Sequence, residues 1–259
     1  MITKEQYTQA LKAQKYSPTT LYVYSNYYDL FQNYTENGEI NEDSVNAYLA
    51  SHNTITARSA LKKILEYSEK PIKIAKIKGK IIKKIPEFMT KNQIETLISQ
   101  TNLRSSLLFS LLFDTTKRIS EVINMKVGDF DLPYNTIKGL GKGNKEYIDF
   151  YTNRTKQKIM AWIEHNNLQP TDKLLRIGVR NARRICYKET LRLLGKRFSP
   201  HKFRHSWVYY AKEQMEAAGG IDWKMIQQKL NHAKPAMTIE YYDPMPTKLV
   251  KKKYFELMK

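Results

Sequence analysis

Apolar positions in the first part of the chain recur at helical rather than alternating spacing. In YSPTTLYVYSNYYDLFQNY, Leu21, Tyr24, Tyr28 and Phe31 fall three and four apart, on one face of a helix. Ser17 followed by Pro18 supplies an N-cap and then the residue best suited to a first helical turn. A second helix is predicted over 41–50 and a third over 56–67, so residues 1–69 read as a small, helical, tyrosine-rich unit. The pattern restarts at Thr90, where TKNQIETLI offers a threonine cap and renewed helical periodicity. After its first residues, 104–113 is almost entirely apolar, as expected of a buried helix. Three short strands are predicted next, at 127–130, 136–138 and 147–150. Pro133-Tyr134-Asn135 and Gly141-Lys142-Gly143-Asn144 supply their turns. From Lys156 onward the chain is again mainly helical, broken near Gly178, Ser199-Pro200, Gly219-Gly220 and Pro235.

Charge changes this picture between the two helical parts. Seven lysines and no acidic residue lie in 70–84, and a packed helix does not hold like charges so densely. Residues 70–87 therefore read as a basic linker. Lys76, Lys78 and Lys80 are candidates to lie along phosphates, where each neutralised charge releases counterions. The whole chain of 259 residues has 44 Lys and Arg against 25 Asp and Glu, a net charge of +19. Such an imbalance costs self-repulsion and points to a polyanionic partner. An anionic membrane surface fits poorly, because the lysines fall in a linker and not on an amphipathic helix. No uncharged apolar run approaches the ~20 residues of a membrane span, and the N-terminus has no apolar signal stretch. A cytoplasmic protein is expected. The single cysteine, Cys186, excludes an internal disulfide and a cysteine-based zinc site.

Four separated stretches carry candidate chemistry. In TTKRISEVINMKVGDFD, Arg118 opens a helix and Glu121 lies one turn on, within reach of the same space. In GLGKGNKEYI, Gly141 and Gly143 allow a tight turn that projects Lys142 from a hairpin tip, with Lys145 beside it. In SPHKFRHSW, His201 and Arg204 share one helical face, with Lys202 between them. Imidazole and guanidinium together suit a phosphate: one manages a proton, the other grips oxygens in a planar fork. No carboxylate or cysteine accompanies His201 and His205 at ligand spacing, so metal is not expected. In KLNHAKPAMTIEYY, His232 precedes a break at Pro235, and Tyr241 and Tyr242 follow.

The order Arg, Lys, His-x-x-Arg, His, Tyr resembles the tyrosine recombinase (phage integrase) family, and the Xer recombinases in particular. The family's TGLRISE box corresponds to Thr115 through Glu121, its GKGNKE hairpin to Gly141 through Glu146, and its L-G-H to Leu230-Asn231-His232. Lys117 and Asn231 stand as departures from glycine, each implying a small backbone adjustment. The family interval of nine residues after His232 selects Tyr241 over Tyr242.

The resemblance implies a mainly α, two-domain chain. A helical, SAM-like core-binding domain would span 1–69, the basic linker 70–87, and an α+β catalytic domain with a small three-stranded antiparallel sheet 88–259. The two lobes would close on duplex DNA. A tail at about 243–259, with Leu249, Val250, Tyr254 and Leu257 as its apolar stripe, would contact a neighbouring protomer in a tetramer.

The implied chemistry is cleavage and rejoining of DNA at a specific site through a 3′-phosphotyrosine, with no cofactor, ATP or metal. Tyr241 is then the nucleophile and Arg118 and Arg204 hold the non-bridging oxygens. Lys142 protonates the leaving oxygen, His201 accepts the tyrosine proton, His232 donates a hydrogen bond, and Glu121 orients Arg118. Lys145 and Lys202, with the linker lysines, would contact DNA. A type IB topoisomerase-like nicking-closing enzyme is the alternative within this chemistry, although that family usually has lysine where this chain has His201. A non-catalytic DNA-binding module would need neither Tyr241 nor the paired arginines.

Overall fold

Short polar residues start most of the described helices of this chain, and the helices of its first unit each bury one stripe. The computed structural model describes residues 2–74, 87–140 and 146–230. The chain divides into two units, Met1–Ile82 and Lys83–Lys259. In the first, α1 (Lys4–Ala13), α2 (Pro18–Gln32), α3 (Glu42–Ser51) and α4 (Ile55–Tyr67) begin at Thr3, Ser17, Asn41 and Thr54. Each of these four side chains accepts a hydrogen bond from a backbone N–H of the first turn, worth about 1 kcal/mol apiece. Tyr28 and Phe31 are buried as their spacing predicts, while Leu21 and Tyr24 pack at the core's margin. Aromatic rings fill much of the interior. Tyr7 stacks on Tyr28 at 5.3 Å, and Phe31 meets Tyr48 edge-on at 5.2 Å.

The second unit is built around α6 (Leu103–Asp114), in which every residue over 105–112 is buried. Helices α5 (Lys91–Ser99), α8 (Asn153–Asn166), α9 (Val179–Leu194) and α10 (Pro200–Ala217) share its core. Phe109 of α6 stacks on Phe203 of α10 with centroids 5.2 Å apart. The short α7 (Ile119–Val122) follows α6, and α11 (Trp223–Leu230) closes the described chain. The fold class is as expected: mainly helical, with one small antiparallel sheet in the order β1-β2-β3.

One strand departs from expectation. Residues Val127–Asp129 form a 3₁₀ turn, and β1 is only Phe130–Asp131. The reason is hydrogen bonding: the N–H groups of Val127 and Gly128 go to the carbonyls of Asp172 and Pro170, at 3.0 and 2.8 Å, instead of to a neighbouring strand. Gly128 also lies where a Cβ would stand 3.0 Å from the Pro170 oxygen. Strand β2 (Thr136–Leu140) runs two residues beyond its predicted end, and β3 (Glu146–Phe150) pairs with it in a register that sets Ile137 opposite Asp149. Among the described residues no helix is long and apolar enough to cross a membrane.

Candidate active site

Four of the predicted residues, Arg118, Glu121, His201 and Arg204, converge at the α6–α7 turn and the start of α10. Arg118 is the N-cap of α7. Glu121, at the third position of that helix, accepts from the Arg118 backbone N–H at 2.8 Å and from its Nη1 at 3.0 Å. One carboxylate therefore caps the helix and aims the guanidinium, which stays largely open to solvent.

Arg204 lies in α10 and is buried, 2% exposed. Its Nη1 donates to the Thr116 carbonyl at 2.8 Å, and its Nη2 to the Leu230 carbonyl. The buried arginine thus ties the turn before Arg118 to the end of α11, immediately before His232. Two of its five donors meet carbonyl dipoles, which offsets part of the cost of a charge at that depth.

His201 sits in the first turn of α10, which Pro200 opens at a position where no N–H is needed. Its pKa is lowered from the ordinary value, first by desolvation and then by the charges of Arg204, Arg118 and Lys202. That shift favours the neutral imidazole, a form able to take a proton near neutrality. His205, buried one turn on, meets the His201 ring edge-on at 4.4 Å. Among the described residues no three His, Cys, Asp or Glu side chains are grouped to hold a metal.

Lys142, Lys145, His232 and Tyr241 lie outside the described residues, as do Lys76, Lys78, Lys80, the Pro235 break and the tail. Around the described site are residues that sequence reasoning missed. Thr116, not Lys117, has the left-handed backbone (φ +54°), so the glycine of the family box falls on Thr116. Lys117 takes the apolar place in that box. It is buried and pairs with Asp149 of β3 at 2.5 Å. Lys229 of α11 reaches the same carboxylate. The signals were legible, as a lysine where the box carries leucine and an aspartate inside a predicted strand, but nothing in the sequence joined them.

A sequence model described as the phage integrase family matches residues 87–247. A tyrosine recombinase of Pseudothermotoga lettingae is 29% identical over 170 residues, covering 62% of this chain and 58% of the relative. The tyrosine recombinase XerA of Pyrococcus furiosus is 29% identical over 178 residues, 62% of this chain and 59% of that protein. The matches thus span little more than half the length of these curated relatives. Among solved structures, the fold is similar to a XerH site-specific recombinase bound to palindromic difH substrate, a post-cleavage complex. Its TM-score is 0.68 at 18% identity, over 100% of this chain and 86% of that one. A lambda integrase dimer bound to a COC′ core site also has a TM-score of 0.68, at 15% identity, over 93% and 76% of the two chains. With the family's box at the α6–α7 turn and its His-x-x-Arg on α10, the chain belongs to the phage integrase family of tyrosine recombinases and is Xer-like.

Proposed function

We propose that this protein is a site-specific DNA recombinase that cuts and rejoins strands through a 3′-phosphotyrosine. The observation that carries the reading is the convergence of Arg118, Arg204 and His201, whose pKa is lowered by desolvation and by these charges, in a chain of net charge +19. Two guanidiniums suit the negative charge that builds on non-bridging phosphate oxygens, and their donors are set before reaction. The Tyr241 oxygen attacks phosphorus and its proton passes to His201, which is needed because a phenol has a pKa of about 10. The bond from phosphorus to the 5′-oxygen breaks, and Lys142 protonates the departing oxygen. His232 donates to a non-bridging oxygen and Glu121 holds Arg118. The covalent ester conserves the phosphodiester's energy, so attack by a 5′-hydroxyl of another strand reverses the step. Lys145, Lys202 and the lysines of the connector bind phosphates. A tetramer on two duplexes completes strand exchange.

The test begins by recovering the target site, sequencing host DNA fragments that remain covalently attached to the denatured protein. A labelled duplex of that sequence, nicked near the cleavage point, is then incubated with wild type, Tyr241→Phe and Tyr242→Phe. Wild type and Tyr242→Phe should give an adduct on a denaturing gel and Tyr241→Phe none, with duplex binding retained by all three. An adduct that persists in Tyr241→Phe defeats the assignment. Nicking and closing without exchange between duplexes indicates the topoisomerase-like alternative.

A further inference from the structure

Asp149 is the unusual group of the sheet. It is 2% exposed, whereas its strand neighbours Ile148 and Phe150 are 61% and 62% exposed, the reverse of the usual apolar-in phase. Two ammonium groups meet it. Lys117, 3% exposed at its side chain, binds Oδ2 at 2.5 Å, and Lys229, 13% exposed, binds Oδ1. Lys229 also donates to the Phe150 carbonyl at 3.0 Å, and its own carbonyl accepts from Thr116 Oγ1 at 3.0 Å. The Lys117 ammonium lies 4.2 Å from the centroid of Tyr147, and that ring covers Gly139 of β2 so closely that a Cβ there would stand 2.5 Å from the phenol oxygen.

Burying such a set costs several kcal/mol per ion before pairing, and apolar residues of similar volume would hold the same space at least as well. What charge adds is direction. A single carboxylate joins three segments: the residue before Arg118, the strand β3 that follows Lys142 in the sequence, and the helix end three residues before His232. We propose that Asp149, held by Lys117 and Lys229, is a positioning residue that sets the β2–β3 hairpin, and with it Lys142, against Arg118. The inference rests on the function proposed above for Lys142. Without the carboxylate, Lys117 and Lys229 repel, the hairpin loses its ionic anchor to the residue before Arg118, and only the Phe150 carbonyl still holds Lys229.

The test uses the full chain and two variants, Asp149→Asn and Lys229→Met; the second removes the less buried partner, so folding survives if the first is unstable. Each is given the recovered target duplex and a copy in which sulfur replaces the bridging 5′-oxygen. A thiolate, with a thiol pKa of about 8.5, leaves without a proton, so that duplex bypasses Lys142. Adduct formation on the all-oxygen duplex should fall by roughly tenfold or more, part of the ~10²-fold a general acid contributes, while the sulfur duplex is cut near the wild-type rate. Equal loss on both duplexes, or no loss on either, overturns the proposal. Hydrogen exchange is read on the same proteins without DNA. Amides of β2, β3 and α11 should exchange faster in both variants and those of α1–α4 should not. If wild type forms no adduct, the proposed function fails and exchange alone decides the anchor: unchanged protection of β2, β3 and α11 removes it.

Discussion

At His201 desolvation and three neighbouring positive charges act in the same direction, and both disfavour the imidazolium. A base of this kind stays neutral at more acid pH than free imidazole. Adduct formation should therefore lose activity on the acid side only below the ordinary histidine value of about 6.5, with that limb absent in His201→Gln. Initial rates measured across pH check this, and a limb at or above the ordinary value contradicts it. The same shift has a stability consequence. Between the lowered pKa and the ordinary one the unfolded chain binds more protons than the folded chain, so stability falls as pH drops through that window. Arg118, Glu121, His201 and Arg204 were all legible in the sequence, because motif and helical spacing name them. The left-handed turn lies at Thr116, one residue before the Lys117 named as the departure from glycine, and the box aligned residue by residue already puts its glycine there. Thr116 is β-branched at φ +54°, a conformation that costs such residues of order 1 kcal/mol or more, and its bond to the Lys229 carbonyl offsets part of that cost.

Among elements, the joint between α6 and α8 illustrates how the turn before Arg118 is held from behind. Asp114 ends α6, and its Oδ2 accepts from Thr152 N at 2.9 Å, Thr152 Oγ1 at 2.7 Å and Thr155 Oγ1 at 2.7 Å. The carboxylate thus faces the positive end of α8, four residues before Arg118 in the chain. Asp114→Ala strands three donors and should lower stability of this unit by about 1–3 kcal/mol. Urea unfolding followed by tryptophan fluorescence measures it cleanly, because Trp162, Trp207 and Trp223 all belong to the second unit. No change in the midpoint would show the carboxylate to be dispensable. Helix positions were the most legible feature at this scale: α3 and α4 each lie within a residue of prediction. The first strand was not, because the bonds of Val127 and Gly128 go to a loop more than forty residues away in sequence.

For the whole molecule the excess of positive charge sets how binding responds to salt. The logarithm of affinity for duplex should fall steeply and linearly with the logarithm of salt concentration. Replacing Lys76, Lys78 and Lys80 by glutamine should make that slope shallower by up to about 0.9 for each phosphate that a lysine no longer neutralises. A slope equal to wild type would remove the connector from the interface. Assembly is proposed to depend on the tail. A chain ending at Pro246 should still cleave but form fewer tetramers with two duplexes on a native gel, and undiminished tetramer would refute the role of Leu249, Val250, Tyr254 and Leu257.

Helix periodicity, cap residues and the one-turn spacings of Arg118 with Glu121 and of His201 with Arg204 were determined by the sequence itself, since each rests on neighbours within one or two turns. The phase of β3 was not. EYIDF can turn either set of alternate residues inward, and local hydropathy favours Ile148 and Phe150 over Asp149. Tertiary structure chose Asp149, because Lys117 and Lys229 arrive from distant parts of the chain and two ammonium groups brought to that depth need a carboxylate between them. The burial of Arg204 has the same origin: carbonyls of Thr116 and Leu230, 88 and 26 residues away, meet only when α6, α10 and α11 have packed.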